Sequence, residues 1–280
     1  MYINFPSFNP VVFSIGPISV HWYGVMYFFG FMFAIWYGKK NHNNKIKFNH
    51  NQIETLLCST FLGACIGGRI GYIIFYNFSY FSHNILSLFY IWKGGMSFHG
   101  GLIGSIIVII YYSFKYNKKI LEISDFIVPL VPFGLGAGRL GNFINDELWG
   151  RVSPKMTCAM LFPNSYYRDL HEVSEHPELK ILMDKYGVLP RHPSQLYEFF
   201  LEGIILFFVL YSFQKKKIST GILSSLFLVI YGIFRFFIEF FREPDFKIKL
   251  FQHTITMGQI LSFPMIIIGI IIIIKTIVTK

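Results

Sequence analysis

Residues 138–151 read GRLGNFINDELWGR and end an apolar run that begins near Leu121. These fourteen residues, here called the boundary segment, include two arginines, two asparagines, two acidic residues and three glycines. Each polar group that is buried without a partner costs on the order of 2–7 kcal/mol, and a simple membrane anchor needs none of them. We therefore predict that the apolar run crosses a membrane and that the boundary segment contains the functional site.

The composition is typical of a membrane protein. Of the 280 residues, 53% are hydrophobic and 14% are charged, whereas soluble domains contain about 25% charged residues. The formal charge of +10 does not indicate a nucleic-acid partner, because the lysines lie in short clusters between apolar segments. Three cysteines cannot form a disulfide framework, and Cys58 and Cys65 are expected to pack as small hydrophobic residues. The composition thus predicts an all-α polytopic membrane protein.

A transmembrane helix needs about 20 mostly apolar residues, and seven runs meet this condition. They cover approximately residues 18–38, 53–76, 99–114, 121–140, 194–213, 221–241 and 256–274. The first run has neither a basic segment before it nor a small-residue cleavage site, so we do not expect a removable signal peptide. Ser194 is the expected N-cap of the fifth helix.

Basic clusters predict the orientation of the chain. They follow the first, third, fifth and seventh runs, without acidic residues among them, and comprise Lys39, Lys40, Lys45, Lys47, Lys115, Lys118, Lys119, Lys215, Lys216, Lys217, Lys275 and Lys280. Because such clusters remain in the cytoplasm, the N-terminus is predicted outside and the C-terminus in the cytoplasm. We expect one integral membrane domain over residues 1–280, in which residues 142–193 form a small extracytoplasmic insertion.

Three arginines, Arg69, Arg139 and Arg235, lie inside predicted helices or at their ends. Glu239 follows Arg235 by four residues, so the two side chains share one helical face. An ion pair that joins helices explains Arg235 and Glu239 as well as a functional role does. With Arg69 and Arg139 added, positive charge is in excess, which favours an anionic ligand such as a lipid phosphate.

His99 begins the third predicted span and is followed by Gly100 and Gly101. A lone histidine at a helix mouth is more often an interfacial hydrogen-bonding group than a base. The glycines favour the functional alternative, because they permit close backbone approach and leave amides free for a phosphate near the helix N-terminus. No second ligand stands at metal-binding spacing, so no metal is expected.

Two further motifs have less specific interpretations. Residues 136–141 match GxGxxG, but they end an apolar helix instead of linking a strand to a helix, so close helix packing is favoured over dinucleotide binding. Residues 191–198 read RHPSQLYE, which fits a helix start with interfacial anchors as well as it fits part of a site.

The motifs together resemble the prolipoprotein diacylglyceryl transferase family of the bacterial inner membrane. The resemblance covers nearly the whole chain and is carried by residues 21–24, 68–72, 99–104, 138–151, 191–198 and 235–245. Asp146 departs from the family pattern, in which a glycine is expected, and it adds a negative charge beside Glu147.

The resemblance implies an enzyme that transfers the diacylglyceryl group of phosphatidylglycerol to the thiol of the lipobox cysteine in a prolipoprotein signal peptide. The products are a thioether and glycerol phosphate. It also implies a multi-pass protein of the inner membrane, surrounded by membrane lipids, with its active site toward the periplasm. No cofactor is implied, and the substrate supplies the nucleophilic cysteine.

Within this reaction, His99 is assigned as the general base for the thiol. Arg139 and Arg235 would hold the phosphate and stabilise the charge that grows on the leaving group, while Glu239 orients Arg235. The remaining residues expected to bind phosphatidylglycerol or shape the mouth of its site are Tyr23, Arg69, Tyr72, Gly100, Gly101, Asn142, Asn145 and Glu147.

Two alternatives belong to other functional classes. A transporter or lipid translocator would line its pathway with the same charges, but the sequence contains neither inverted repeats nor paired broken helices. A structural scaffold would leave the intramembrane arginines and the glycines beside His99 unexplained. A lipid transferase that uses paired acids and a metal is disfavoured by the lack of an acidic cluster.

Overall fold

The computed structural model describes residues 2–16, 18–41, 48–76, 78, 95–244, 247–250 and 253–278. The predicted cytoplasmic residues Lys45, Lys47 and Lys280 lie outside the described residues. So do Asp245 of the last family motif and most of the connection between the second and third predicted spans.

Helices make up most of the described chain. In chain order they are α1 Trp22–Lys40, α2 His50–Tyr76, α3 Phe98–Lys115, α4 Ile120–Ile127, α5 Val131–Ile144, α6 Tyr166–Glu175, α7 Lys180–Tyr186, α8 Ser194–Glu198, α9 Leu206–Gln214, α10 Ile222–Ile238 and α11 Met257–Val278. A 3-10 turn, Val128–Leu130, joins α4 to α5, and a π-helical segment, Phe199–Ile205, joins α8 to α9. The short strands are β1 Ile3–Asn4, β2 Val11–Ile15, β3 Ile18–His21, β4 Met160–Leu161, β5 Pro190–Arg191, β6 Lys247–Leu250 and β7 His253–Thr256.

Five helical stretches among the described residues are long and apolar enough to cross a membrane. They are His50–Ile74, Phe98–Lys115, Ile120–Ile144, Ser194–Gln214 and Met257–Val278. Many of their large apolar side chains are exposed, including Phe208 and Ile274, as is expected of surfaces that face lipid. The prediction of an all-α polytopic membrane protein is confirmed at this level. α1, with its tryptophans and tyrosines, and the shorter α10 occupy the other two predicted spans, so the count of seven stays a prediction.

Two predicted helix boundaries were wrong. The first helix begins at Trp22 and not near Ile18, because Ile18–His21 forms a strand that pairs antiparallel with β2. The fourth continues past Leu140 to Ile144, so the first half of the boundary segment is helical. Pro129 lies in the 3-10 turn between α4 and α5, where its missing N–H interrupts regular α-helical hydrogen bonding.

The described residues divide into two compact units, residues 1–33 with 128–280 and residues 34–127. In the second unit, α2 and α3 pack with their backbones in contact. A Cβ atom added to Gly100 would collide with the carbonyl oxygen of Gly67, and one added to Gly104 with that of Gly63. Small residues at such crossings allow the close approach that stabilises membrane helix pairs.

The first unit contains a helical core and a polar insertion. Leu206, Leu210, Leu223 and Tyr231 form the buried centre of the helical core. In the insertion, β4 pairs in parallel with β1 near the N-terminus and antiparallel with β5, and α6 and α7 lie between the two inserted strands in sequence. A second apolar cluster of Phe143, Met160 and Phe162 anchors this small sheet to the end of α5.

Candidate functional site

The boundary segment leaves α5 through a tight turn. Asp146 and Leu148 both have positive φ angles, 52° and 57°. Aspartate is one of the few residues that tolerate this conformation, and glycine adopts it most readily, which explains the glycine expected at position 146. The Asp146 carboxylate accepts hydrogen bonds from the Trp149 indole at 2.7 Å and the Asn164 amide at 2.8 Å. Burial nevertheless raises the pKa of Asp146 above its usual value.

The polar side chains of the turn bind one another. Asn142 and Asn145 each donate to Oε1 of Glu147, at 2.8 Å and 3.5 Å. Gln195 donates to the backbone oxygen of Glu147 at 2.7 Å, and Ser194 donates to that of Leu148 at 3.2 Å. The predicted N-cap role of Ser194 is therefore wrong, because its hydroxyl supports the boundary segment and Pro193 occupies the cap position.

Arg139 and Arg235 converge on one carboxylate. Glu198 Oε2 lies 3.2 Å from Nε of Arg139, and Glu198 Oε1 lies 2.5 Å from Nη1 of Arg235. Glu198 is fully buried, while the side chains of Arg139 and Arg235 are 19% and 13% exposed. A glutamate on α8 thus brings together the two arginines predicted to bind phosphate, one from α5 and one from α10.

Two more glutamates complete this group. Glu202, one helical turn after Glu198, lies 3.7 Å from Arg139 and 4.0 Å from Arg235. Glu239 lies 2.6 Å from Arg235, which confirms the predicted i, i+4 pair, and 3.5 Å from Arg242. We call these six residues, Arg139, Glu198, Glu202, Arg235, Glu239 and Arg242, the arginine–glutamate cluster.

The predicted excess of positive charge is absent from this cluster, because its three arginines face three glutamates. Sequence reasoning weighed Glu198 only as the last residue of the 191–198 motif, and it missed Glu202 as a site residue. The signal was available: two acidic residues four positions apart inside an apolar run indicate a functional or paired position. What the sequence does not contain is the partner of each acid, since the arginines come from other helices.

Glycines of α5 make room for α1 and for the π-helical segment. The backbone of Gly136 meets that of Gly203, and Gly138 and Gly141 pack against the rings of Tyr27 and Tyr23. The interpretation of GxGxxG as a packing motif is confirmed. The Tyr23 and Tyr27 hydroxyls form a 3.1 Å hydrogen bond, and Tyr23 is close enough to interact electrostatically with Glu147 and Arg139.

The motif at residues 191–198 connects the insertion to the cluster. The fully buried Arg191 places Nε and Nη2 each 2.7 Å from one oxygen of Asp169, and it donates to the Gly150 carbonyl at 3.0 Å. Arg151 donates to the backbone oxygens of Glu239 and Arg242 at 3.1 Å and 3.0 Å. These contacts hold the end of the boundary segment against the end of α10.

The second unit contains the other predicted residues. Arg69 is buried and donates to the Gly95 carbonyl at 3.1 Å, while the Tyr72 ring packs against Gly95. Ser97 caps α3, and His99 follows as an exposed side chain in the first turn. The amides of Gly100 and Gly101 are not free as expected, because they donate to the Ser97 hydroxyl and carbonyl oxygens. In the structure, these two glycines are explained by the close packing of α2 against them.

A metal ion could be held by one acidic group in the described part of the chain. Glu172, Glu175 and His176 have ligand atoms within 4.8 Å of one another at the surface of α6. Glu172 and His176 also line an open cavity of about 230 Å³ beside Arg151. Exposed acidic groups of this kind are common without a metal, and these residues lie outside the predicted site.

Comparisons with known proteins identify the family of the chain. The model of the prolipoprotein diacylglyceryl transferase family matches residues 10–275. The match includes every residue of the arginine–glutamate cluster and the whole boundary segment. The chain belongs to this family.

Relatives from several bacteria are similar over their full lengths, and each is named phosphatidylglycerol–prolipoprotein diacylglyceryl transferase. The protein from Buchnera aphidicola subsp. Acyrthosiphon pisum (strain APS) is 68% identical over 99% of both chains. That from Wigglesworthia glossinidia brevipalpis is 54% identical over 98% of both. That from Cronobacter sakazakii is 55% identical over 96% of this chain and 93% of its own. The family membership and the apolar helices together make this a membrane-embedded transferase.

Proposed function

We propose that this family member transfers the diacylglyceryl group of phosphatidylglycerol to the thiol of the lipobox cysteine of prolipoproteins, which forms a thioether and releases glycerol phosphate. The observation that carries the proposal is the convergence of Arg139 and Arg235 on Glu198 between membrane helices of a chain that belongs to the family. Two guanidinium groups held together in an apolar surrounding suit a phosphate ester.

The reaction needs a thiolate and a stabilised leaving group. His99 removes the thiol proton, and the sulfur attacks the phosphate-bearing carbon of the diacylglycerol unit. The bond from this carbon to the phosphate oxygen breaks, and the phosphate leaves with the headgroup glycerol as glycerol phosphate. Negative charge then develops on the departing phosphate, where Arg139 and Arg235 stabilise it. Glu239 holds Arg235 in place through its 2.6 Å contact.

The remaining predicted residues have supporting roles in this proposal. Asn145 Oδ1 is buried and accepts no hydrogen bond from the residues that the structure describes, so it can accept one from a headgroup hydroxyl. Asn142 and Glu147 shape the turn beside it, and Tyr23 supplies a hydroxyl near Arg139. In the second unit, Gly100 and Gly101 position His99 by close packing, and Arg69 and Tyr72 shape the chain before it through Gly95.

The proposal includes a location. The chain is one integral domain of the bacterial inner membrane with seven spans, its N-terminus in the periplasm and its C-terminus in the cytoplasm. Residues 142–193 form the extracytoplasmic insertion, and the active site opens toward the periplasm among membrane lipids. The basic clusters after alternate spans support this orientation.

The test combines the purified full-length chain in detergent with phosphatidylglycerol and a lipobox peptide, and follows the peptide by mass spectrometry. We expect the peptide to gain the mass of one diacylglyceryl group, and a matched peptide with Cys→Ser to gain none. Phosphatidylglycerol binding without any transfer would contradict the proposal and favour a lipid translocator.

A further inference from the structure

Among the three carboxylates of the arginine–glutamate cluster, Glu202 has the longest distances to the arginines. Glu198 and Glu239 each have an oxygen within 2.6 Å of Arg235. Glu202 comes no closer than 3.7 Å to Arg139 and 4.0 Å to Arg235, and neither of its oxygens accepts a hydrogen bond from any residue that the structure describes. A fully buried carboxylate without hydrogen bonds is costly to keep ionised, so it is the group most easily neutralised.

The backbone around Glu202 limits its freedom to move away. Glu202 lies in the π-helical segment Phe199–Ile205, a geometry that is rare and frequently marks functional sites. The next residue, Gly203, packs so closely against α5 that an added Cβ would lie 2.8 Å from the Cα of Gly136. The backbone that carries Glu202 is therefore held in place by this packing.

The charges around Glu202 balance when all six groups of the arginine–glutamate cluster are ionised. It faces Arg139 from α5, Glu198 from α8, Tyr231 and Arg235 from α10, and Arg242 beyond the end of α10, with Glu239 bound to Arg235. Three arginines and three glutamates sum to zero. A phosphate diester adds one negative charge, and an uncompensated charge in this buried setting is unfavourable.

We propose that Glu202 takes up one proton when the phosphate of phosphatidylglycerol binds to Arg139 and Arg235, so that the cluster stays neutral. This inference rests on the proposed function, and it makes Glu202 a positioning residue. The proton comes from solvent and returns there after glycerol phosphate leaves. The ligand class follows from the charge count: a lipid with a singly negative phosphate diester.

Calorimetry in buffers of different ionisation enthalpy measures the protons taken up when short-chain phosphatidylglycerol binds to the purified full-length chain. We expect about one proton per lipid at the pH where Glu202 is ionised in the free protein, and a Kd that there rises about tenfold per pH unit. Glu202→Gln imitates the protonated side chain, so it should bind the lipid without proton uptake and more tightly than the wild type at high pH. Glu202→Asp should retain the uptake.

Glu198→Gln is the matched control one turn away, and it should weaken lipid binding because both arginines lose their shared partner. Glu178→Gln, on the exposed surface of the insertion, should behave as the wild type does. Wild-type binding without proton uptake at any pH would overturn the inference, as would tighter binding by Glu198→Gln in place of Glu202→Gln. Transfer to the peptide without proton uptake contradicts this inference alone, whereas proton-linked binding without transfer contradicts only the proposed function.

Discussion

Arg139 and Arg235 show how single residues keep their charge between apolar helices. Each guanidinium lies within 3.2 Å of a carboxylate oxygen of Glu198, and this pairing offsets the cost of removing both ions from water. Buried ion pairs contribute little net stability compared with apolar residues of similar size. Six such contacts among three arginines and three glutamates are therefore better explained by a task than by stability, and we propose that this task is phosphate binding.

Arg139→Gln removes one of the two arginines proposed to hold the phosphate and leaves Glu202 without its nearer partner. We expect transfer to fall by about 10²–10³-fold, because a donor to the developing charge is lost, with weaker phosphatidylglycerol binding in parallel. Arg168→Gln is the matched control, since this arginine is 45% exposed and pairs only with Glu243 among the ion pairs of the described residues. Wild-type transfer by Arg139→Gln would contradict the phosphate role.

His99→Gln removes the proposed general base. Transfer should fall by about 10²–10⁴-fold near neutral pH and recover as the pH rises, because a thiol of pKa about 8.5 then ionises without help. The recovery distinguishes a lost base from a misfolded helix start. His176→Gln, on the exposed surface of the insertion, should leave the pH profile unchanged. Near-normal transfer by His99→Gln at neutral pH would mean that another group takes the proton.

At the scale of elements, glycines decide which helices pack together. The α2–α3 contact relies on Gly63, Gly67, Gly100 and Gly104, whose missing side chains let backbone meet backbone. In the same way, Gly136 lets α5 pack closely against the π-helical segment. This packing sets the distances from Arg139 to Glu198 and Glu202. Helix packing therefore places the charged groups.

Gly104→Ala tests this packing in the second unit. The new Cβ would collide with the carbonyl oxygen of Gly63, so we expect the free energy of unfolding to fall by about 1–3 kcal/mol and the unfolding temperature in detergent to fall with it. Gly134→Ala in α5 is the matched control, because an added Cβ there meets nothing within 4 Å. Equal unfolding temperatures for the two variants would show that the α2–α3 contact is looser than described.

At the scale of the whole molecule, an exposed apolar surface on the long helices contrasts with a polar insertion. Apolar side chains cover the outer faces of the long helices, whereas residues 145–193 fold into short strands and helices whose small apolar cluster packs on the end of α5. Cys158 is exposed in the insertion, and Cys58 and Cys65 are half-buried in α2. The three cysteines therefore report which side of the membrane the insertion occupies.

A membrane-impermeant maleimide added to intact spheroplasts should label the wild-type chain through Cys158. Cys158→Ser should abolish the labelling, because Cys58 and Cys65 lie within a membrane helix. Lys216→Cys in the Cys158→Ser chain should be labelled only after the membrane is permeabilised, since Lys216 belongs to a predicted cytoplasmic cluster. Labelling of Lys216→Cys in intact spheroplasts would show that the orientation is the opposite of the predicted one.

The sequence by itself determined the membrane class, the approximate positions of most helices and the family. Each of these follows from local information, namely the length of apolar runs and motifs of adjacent residues. The Arg235–Glu239 pair was equally predictable, because four residues make one helical turn. The packing role of residues 136–141 followed from small residues in an apolar helix.

Only the tertiary structure decided which residues from distant parts of the chain form ion pairs and hydrogen bonds with one another. Glu198 joins Arg139 to Arg235, Ser194 supports the boundary segment, and the amides of Gly100 and Gly101 are occupied by Ser97. It also made the first helix begin four residues later than predicted, because β2 pairs with the four residues before Trp22. The physical reason is that charge balance and hydrogen-bond satisfaction depend on groups that folding brings together from separate helices, which local periodicity does not encode.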